Sequence, residues 1–307
     1  ERNQDNDKYF VKVLHKNGAL KEGAQHLYYV EPNPADSLFA FSCQFSKTLI
    51  NNELDDFSRS EDACSKSWKS FWMSGGAVDF SGCTDPRASE LERRVVLSRY
   101  LTRIQCSGFL PPAETGLTYN SWFGKFHLEM HWWHVTHFAL WQHEEILEKQ
   151  MQYYFNIFDN ARHTAQHQGY SGVRWPKMTD PEGRESPSTV GTYLIWQQPH
   201  PIFFAELLYI NAEDKEGILK KYKDLVFETA EFMASYAWYD STNNRFTLGP
   251  VLIPAQESLN KETTINPTFE LVYWYWGLKT AIEWKKRLNS EVDQLWVELT
   301  RNISKLP

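Results

Sequence analysis

From residue 35 onward, apolar residues recur three and four positions apart, the spacing of one face of an α-helix. The pattern opens with Leu38, Phe41, Phe45 and Leu49, which predict a helix over residues 35–49. The same period predicts further helices over 60–72, 86–106, 126–143, 144–167, 197–210, 214–239, 267–288 and 292–303. Because no convincing series of strands separates these segments, we expect an all-α fold.

Three long segments rich in Gly, Pro, Ser and Thr, 107–124, 168–195 and 241–265, interrupt the helices. Loops of this length in a compact domain usually carry function. The helices form hairpins of similar length, which indicates a toroid, an (α/α)6 barrel of helical hairpins. Six hairpins need twelve helices and the pattern supplies eight or nine, so we expect the barrel to be incomplete at the C-terminus. Residues 1–34 are interpreted as a connector from an upstream region, and residues 35–307 as a partial catalytic domain.

Charge and composition narrow the classes of partner. The chain of 307 residues has a formal net charge of −7 and no basic stripe, so nucleic acid is a poor partner. No apolar run is long enough to span a membrane. The four cysteines lack CxxC spacing and do not indicate a zinc site, and the sequence leaves free thiols and disulfides both open. Aromatic residues make up 15% of the chain, which suits a large core and also a cleft that stacks sugar rings.

The segment Trp122–His134 concentrates histidines. On the predicted helix, His127, His131 and His134 share one face, and Glu129 points to a neighbouring face. Paired histidines can bind zinc, but the HExxH pattern is absent and no carboxylates or thiols cluster nearby in sequence. Buried core histidines are a second interpretation. We favour a third, a polar floor under a sugar ring.

Two further segments combine aromatic and polar side chains. Segment 169–185 places Trp175 among charged residues, which indicates either a sugar-binding loop or an internally paired surface loop. Segment 195–200, Ile-Trp-Gln-Gln-Pro-His, precedes an apolar helix. Its amides can donate to and accept from hydroxyl groups, although capping of the helix explains them equally well.

A fourth segment holds a candidate acid. Glu257 ends the Pro-rich sequence Gly249-Pro-Val-Leu-Ile-Pro-Ala-Gln-Glu, and the nearest following basic residue is Lys261. A carboxyl in apolar surroundings has a raised pKa and can stay protonated near neutrality. Protonation of a glycosidic oxygen requires such a group.

These four segments, in this order over residues 108–285, resemble glycoside hydrolase family 65 and its six-hairpin relatives. Segment 169–185 is similar to the family pattern GY-x-GA-R-F-PW … G-x-E. Pro254-Ala-Gln-Glu257 with Asn266-Pro-Thr-Phe is similar to GP-D/N-E-Y … N-x-x-Y-T-N, in which the Glu is the general acid. Glu129 and His131 stand at the Asp and Glu of the sugar-binding Trp-Asp-x-Glu. Two of these regions also resemble family 95 fucosidases.

The chain departs from the family pattern in two places. His-Leu-Glu-Met-His replaces the family's FWDTE, so the pocket for the sugar next to the cleaved bond should differ. The family's Lys-Gln-Ala-Asp is not found, and its phosphate-binding or base segment would follow Pro307. The resemblance implies a bacterial carbohydrate-degrading protein of the periplasm or the extracellular space.

The sequence therefore predicts an inverting glycoside hydrolase that acts on an oligosaccharide or glycan. Glu257 is the expected general acid; the base is expected outside this chain, with Glu129 as the best internal substitute. A carbohydrate is the expected partner, and this chemistry requires no cofactor or metal. The expected sugar-binding residues are Trp122, His127, His131, Trp132, Arg174, Trp175, Lys177, Glu185, Gln197, Gln198 and His200.

Three alternatives remain. A phosphorylase of the same fold would use inorganic phosphate in place of water. A polysaccharide lyase would need several cations to neutralise a uronate, and only Arg174, Arg184 and Lys177 cluster in sequence. A pure binding module would not need four polar segments. An enzyme of this fold should bring the loops near residues 120, 175, 198 and 257 together at one end.

Overall fold

The computed structural model describes residues 1–4 and 7–305. The chain divides into two compact units, Glu1–Gly75 and Gly76–Pro307. The boundary predicted after residue 34 does not coincide with this division. Helices account for 46% of the structure, so the predicted helix-rich fold is confirmed, whereas closure into an (α/α)6 barrel stays a prediction.

The N-terminal unit combines strands with one helix. Its strands are β1 (Arg2–Gln4), β2 (Asp7–Lys16), β3 (Gly18–Glu22), β4 (Tyr28–Pro32) and β5 (Ala40–Ser46). An antiparallel sheet has the order β1-β2-β5, and β3 pairs with β4 in an antiparallel hairpin. Helix α1 (Phe57–Met73) follows, and Asp56 caps it by accepting a hydrogen bond from the Arg59 N–H.

The helix predicted over residues 35–49 is wrong. Residues 40–46 form β5, whose Phe45 lies opposite Val11 of β2. Phe41 and Phe45 are four residues apart, which fits one face of a helix and also one face of a strand, because strand residues alternate with a period of two. Pairing with β2 decides between them. The all-α prediction is therefore wrong for this unit, and residues 1–34, predicted as a connector, contain four strands.

The C-terminal unit contains the other helices. They are α2 (Ala88–Cys106), α3 (His131–Leu140), α4 (Glu144–Asn156), α5 (Phe158–His167), α6 (His200–Asn211), α7 (Lys215–Tyr236), α8 (Thr268–Arg287) and α9 (Gln294–Asn302). Most ends lie within a few residues of the prediction. One exception is α3, which begins at His131 because the two residues of β6 (Phe126–His127) pair with β7 (Met178–Thr179). The other is the single helix predicted over 144–167, which is wrong: the backbone leaves the helical conformation at Ile157 and divides the segment into α4 and α5. A last hairpin joins β8 (Trp238–Asp240) to β9 (Arg245–Thr247).

The helices of this unit pack against one another. Helix α6 contacts α3 and α8, whereas α4 packs on α3 and α6, α7 on α6 and α8, and α9 on α7 and α8. The interior is filled by large side chains that include Trp175, Trp274 and Trp284. Among the described residues, no helix is both long and apolar enough to cross a membrane.

The starts of α3, α6 and α8 lie close together. His200, the first residue of α6, is hydrogen-bonded to the carbonyl of Glu129, which lies two residues before α3 begins. Its other ring nitrogen is bonded to the hydroxyl of Tyr273 in α8. The side chains before and within these first turns therefore converge on one region.

Candidate active site

A short strand pair places Glu129 beside Lys177. His127 lies opposite Met178 in the β6–β7 pair, and the Leu128 N–H donates to the Lys177 carbonyl at 2.9 Å. The chain then turns into α3 immediately after Glu129. The Lys177 Nζ lies 3.4 Å from the Glu129 Oε1, and both side chains are largely buried. Backbone pairing therefore holds this cation and this carboxyl in contact.

The loop that carries Glu257 reaches the same lysine. The Glu257 Oε1 forms an ion pair and hydrogen bond with the Lys177 Nζ, so the apolar surroundings expected for this carboxyl are wrong, because a lysine distant in sequence lies against it. Glu257 has a positive φ of 56°, in the left-handed region, and its N–H donates to the Pro254 carbonyl at 2.8 Å. The two predicted catalytic carboxyls, far apart in sequence, thus share one ammonium group, which we call the Glu129–Lys177–Glu257 cluster.

Burial dominates the electrostatics of Glu129. It raises the pKa of Glu129 to about 7, because a charged carboxylate loses its hydration in the interior. The Lys177 ammonium lowers the pKa, and the Glu257 carboxylate raises it further. The Glu129 Oε2 is buried and has no hydrogen-bond partner among the described residues. Glu129 is therefore poised to take up a proton near neutral pH.

The three histidines of the segment 122–134 are buried and do not share one helix face. His127 lies in β6, whereas His131 and His134 lie in α3, so the predicted common face of all three is wrong. Strand pairing with β7 replaced the first turn of the expected helix. His131 bonds Tyr154 and Gln150, and burial lowers its pKa to about 3. The His134 Nε2 donates to the Glu114 carbonyl at 3.0 Å. These rings connect parts of the interior rather than facing an open cleft.

Several predicted sugar-binding residues are buried where they tie loops together. The Gln198 side chain accepts from the Trp175 N–H at 2.9 Å and donates to the Val173 carbonyl at 2.6 Å. Gln197 donates to the Trp175 carbonyl at 3.0 Å. The Arg174 guanidinium donates to the Leu194 carbonyl at 2.6 Å. These contacts fix the segment before α6 against the segment that leads to Lys177, and they leave little surface for a ligand.

The remaining predicted binders are more accessible. Trp122 is 61% exposed and, like the following Phe123, has a positive φ, which is unusual for a large side chain. Glu185 is half-buried and accepts a hydrogen bond from Thr192. Trp132 lines a cavity of about 290 Å³ between the first turns of α3, α6 and α8. Its walls are almost entirely aromatic, formed by Trp132, Trp133, Trp196, His200, Phe203, Phe269, Tyr273 and Trp276, with Val272.

Sequence reasoning missed Glu270 and the role of Asn266. The buried Glu270 in the first turn of α8 accepts a hydrogen bond from the Ala255 N–H at 2.7 Å, two residues before Glu257. Burial raises the pKa of Glu270. Asn266 exchanges two hydrogen bonds with Leu248 and so closes the base of residues 249–257, which we call the acid loop. A glutamate in the first helical turn after a loop was the available signal, but it is also a common helix-start feature.

The cysteines, left open by the sequence, are free thiols. Cys43, Cys64 and Cys83 are exposed, and Cys106 is buried. Burial raises the pKa of the Cys106 thiol to about 12. The Cys106 carbonyl accepts a hydrogen bond from Gln150, the residue that also bonds His131. This cysteine therefore belongs to the packing behind the site.

Comparison with known proteins gives two similarities. A kojibiose phosphorylase from Thermoanaerobacter brockii is 27% identical over 159 residues, which is 48% of this chain and 20% of that protein. The chain thus spans about a fifth of the length of this curated relative. No protein-family model matches the chain.

The second similarity is structural. A solved protein from the human microbiome, provisionally named kojibiose phosphorylase, superposes with a TM-score of 0.62 at 12% identity. The superposition covers 96% of this chain and 43% of that one. At 12% sequence identity, this structural match supports a similarity of fold alone. The two similarities together with the helix-rich architecture lead to one conclusion: the chain has a fold like that of glycoside hydrolase family 65.

Proposed function

We propose that this chain carries the general acid of a glycoside phosphorylase, which cleaves a glycosidic bond with inorganic phosphate. The Glu129–Lys177–Glu257 cluster carries the proposal, because it holds a candidate acid, Glu257, in a fixed contact with a cation and a second carboxyl. The similarity to a kojibiose phosphorylase favours phosphate over water as the attacking group. This was the alternative in the sequence-based interpretation, and it now has more support than the inverting hydrolase.

The proposed reaction uses Glu257 as the general acid. Its proton passes to the glycosidic oxygen as the bond between that oxygen and the anomeric carbon breaks. An oxygen of phosphate forms the new bond to the anomeric carbon from the opposite face. The products are a sugar 1-phosphate of inverted configuration and the released acceptor sugar, whose hydroxyl carries the proton from Glu257, and Glu257 is left as a carboxylate.

The position of Lys177 favours a single acid over an acid and a base. The nearest oxygens of Glu129 and Glu257 contact the same ammonium nitrogen, so Lys177 occupies the space between the two carboxyls. In an inverting hydrolase that space is left open for the attacking water. Glu129 therefore suits a role as partner of the acid. Phosphate is already an anion and needs no base to activate it.

The surroundings argue against the lyase alternative. A lyase must neutralise a uronate carboxylate with free cations. Lys177 is already paired with two carboxylates, Arg184 pairs with Asp180, and Arg174 is buried against carbonyl groups.

The aromatic cavity that includes Trp132, together with the exposed Trp122, offers stacking surfaces for sugar rings.

The test is to incubate the protein with kojibiose and other glucose disaccharides, with and without inorganic phosphate. Phosphorus NMR detects sugar 1-phosphate, and a glucose assay detects hydrolysis. We expect phosphate-dependent formation of the sugar phosphate with inverted configuration. Sugar release that is independent of phosphate would restore the hydrolase interpretation, and absence of turnover under both conditions would count against both.

Glu257→Gln should reduce phosphorolysis by at least about 10²-fold, the scale of general acid catalysis. Glu262→Gln is the matched control, because Glu262 is an exposed glutamate in the same loop. Activated aryl glycosides should suffer less from Glu257→Gln, since their leaving groups need little protonation. Equal losses with both kinds of substrate would indicate that Glu257 binds the sugar instead of protonating it.

A further inference from the structure

One cation serves two carboxyls in the proposed active site. The Lys177 side chain is 11% exposed, and its partners Glu129 and Glu257 are 7% and 37% exposed. With both carboxyls ionised, the cluster has one positive and two negative charges, and its Lys177 and Glu129 side chains are largely buried. A single proton bound by either carboxyl would bring the cluster to neutrality. Charge balance therefore links the protonation state of one carboxyl to that of the other.

The backbone fixes Lys177 independently of its charge. The β6–β7 pair and the hydrogen bond from the Leu128 N–H to the Lys177 carbonyl set its distance from Glu129. These bonds involve main-chain atoms alone. Substitution of the Lys177 side chain should therefore leave Glu129 in place, so the effect of the ammonium can be measured separately from the fold.

The groups around Glu129 come from several elements. Lys177 and Glu257 contact or face it from the loops after α5 and before α8, and Glu114 faces it from the loop after α2. His200 of α6 bonds its backbone carbonyl, and burial keeps this ring neutral by lowering its pKa to about 3. Lys177 is therefore the one positive charge acting on Glu129 among these neighbours, and the two glutamates oppose it.

We propose that Lys177 is a positioning residue that makes Glu129 and Glu257 share one proton, so that ionisation of one carboxyl favours protonation of the other. When Glu129 is protonated, the ammonium pairs with Glu257. When Glu257 holds the proton, as a general acid must, the ammonium pairs with Glu129 and stabilises its carboxylate. The proposal rests on the proposed function for its catalytic meaning, but the coupling itself exists without substrate.

The experiment is a carboxyl titration of the protein by NMR, with ¹³C-labelled glutamate and no ligand. Glu129→Gln and Glu257→Gln identify the two signals. In Lys177→Gln, the titration midpoint of Glu129 should rise by at least about one pH unit, a tenfold change in proton affinity. In Glu257→Gln, the midpoint of Glu129 should fall by a similar amount, because a repelling charge disappears and the ammonium turns fully to Glu129.

Two variants separate charge from general disturbance. Lys177→Arg keeps a positive charge and should return the Glu129 midpoint to within about half a pH unit of the unsubstituted protein. Lys125→Gln removes a nearby lysine outside the cluster and should leave the midpoint unchanged. Circular dichroism verifies that each variant is folded.

The proposal is overturned if Lys177→Gln leaves the Glu129 midpoint in place, or if Lys177→Gln and Glu257→Gln move it in the same direction. A loosened site would move both the same way, towards the value of exposed glutamate. The titration uses no substrate, so coupling without phosphorolysis would reject the proposed function and keep this inference. Phosphorolysis without coupling would reject this inference and keep the proposed function.

Discussion

Burial shifts the pKa values of acidic and basic side chains of the site in opposite directions. It raises the pKa of Glu129 to about 7 and lowers the pKa of His131 and of His200 to about 3. In each case the neutral form is favoured, because the interior solvates charge poorly. Near neutral pH both histidines are uncharged, and their hydrogen bonds define their tautomers. The His200 Nε2 donates to the Glu129 carbonyl, so its Nδ1 accepts from the Tyr273 hydroxyl.

Replacement of His200 by Gln should reduce the acid sensitivity of the protein. The folded-state pKa of His200 lies below its ordinary 6.5, so its contribution to stability is complete above pH 6.5 and is lost as the pH falls. Between pH 6.5 and 5 the loss is about 2 kcal/mol for one such residue. Gln can keep both hydrogen bonds but cannot titrate. Denaturant unfolding at several pH values measures the difference. Parallel pH dependence in both proteins would contradict the assigned burial.

At the scale of elements, several hydrogen bonds hold the acid loop. Asn266 closes its base through two hydrogen bonds with Leu248. Further along, the Ile253 N–H donates to the Tyr193 carbonyl at 3.0 Å, which links the loop to the segment before α6. Near its end, Glu270 of α8 accepts from the Ala255 N–H. Asn266 lies just before α8 and Glu270 in its first turn, so the start of this helix helps to position Glu257.

Glu270→Ala should loosen the end of the acid loop. Loss of one hydrogen bond of this kind costs about 1 kcal/mol, which corresponds to roughly fivefold faster amide exchange when the loop opens locally. Hydrogen exchange at Ala255 is the measurement. Glu270→Gln is the matched control, because its amide oxygen can still accept from the Ala255 N–H. Unchanged exchange at Ala255 in Glu270→Ala, with the protein folded, would show that the other hydrogen bonds of the loop suffice.

At the scale of the whole molecule, the core is unevenly divided. Of the buried apolar side chains that the structure describes, Phe71 alone lies in the N-terminal unit. All members of the Glu129–Lys177–Glu257 cluster lie in Gly76–Pro307, together with the residues that anchor them. The C-terminal unit therefore has its own core, the usual requirement for independent folding.

Residues 76–307 expressed alone should fold. We expect a helical circular dichroism spectrum, a cooperative thermal transition and the same titration midpoint of Glu129 as in the full chain. The full chain under the same conditions is the control. A broad transition, or a titration midpoint of Glu129 at the ordinary value of an exposed glutamate, would mean that residues 1–75 are needed to complete this unit.

Much of the helical unit could be predicted from sequence, because helix faces follow from local spacing. The segments around α6, α7 and α8 show apolar residues at the helical period, and Gly and Pro delimit the loops between them. Periodicity failed at β5, where spacing of two and of four residues coincide, and at His127, where two-residue pairing with β7 replaced a helical turn. Both errors concern hydrogen bonds to distant parts of the chain.

By itself, the sequence nominated Glu129 and Glu257 as candidate carboxyls, because their segments resemble those of glycoside hydrolase family 65. Only the tertiary structure decided that Lys177 lies between them and that Gln197 and Gln198 are buried loop anchors. The reason is physical: local spacing fixes which side chains share a face, whereas burial and charge pairing depend on residues far apart in the chain. From the sequence alone, the Lys177 ammonium could contact either a sugar or a carboxylate. The course of the backbone places it against the carboxylates of Glu129 and Glu257.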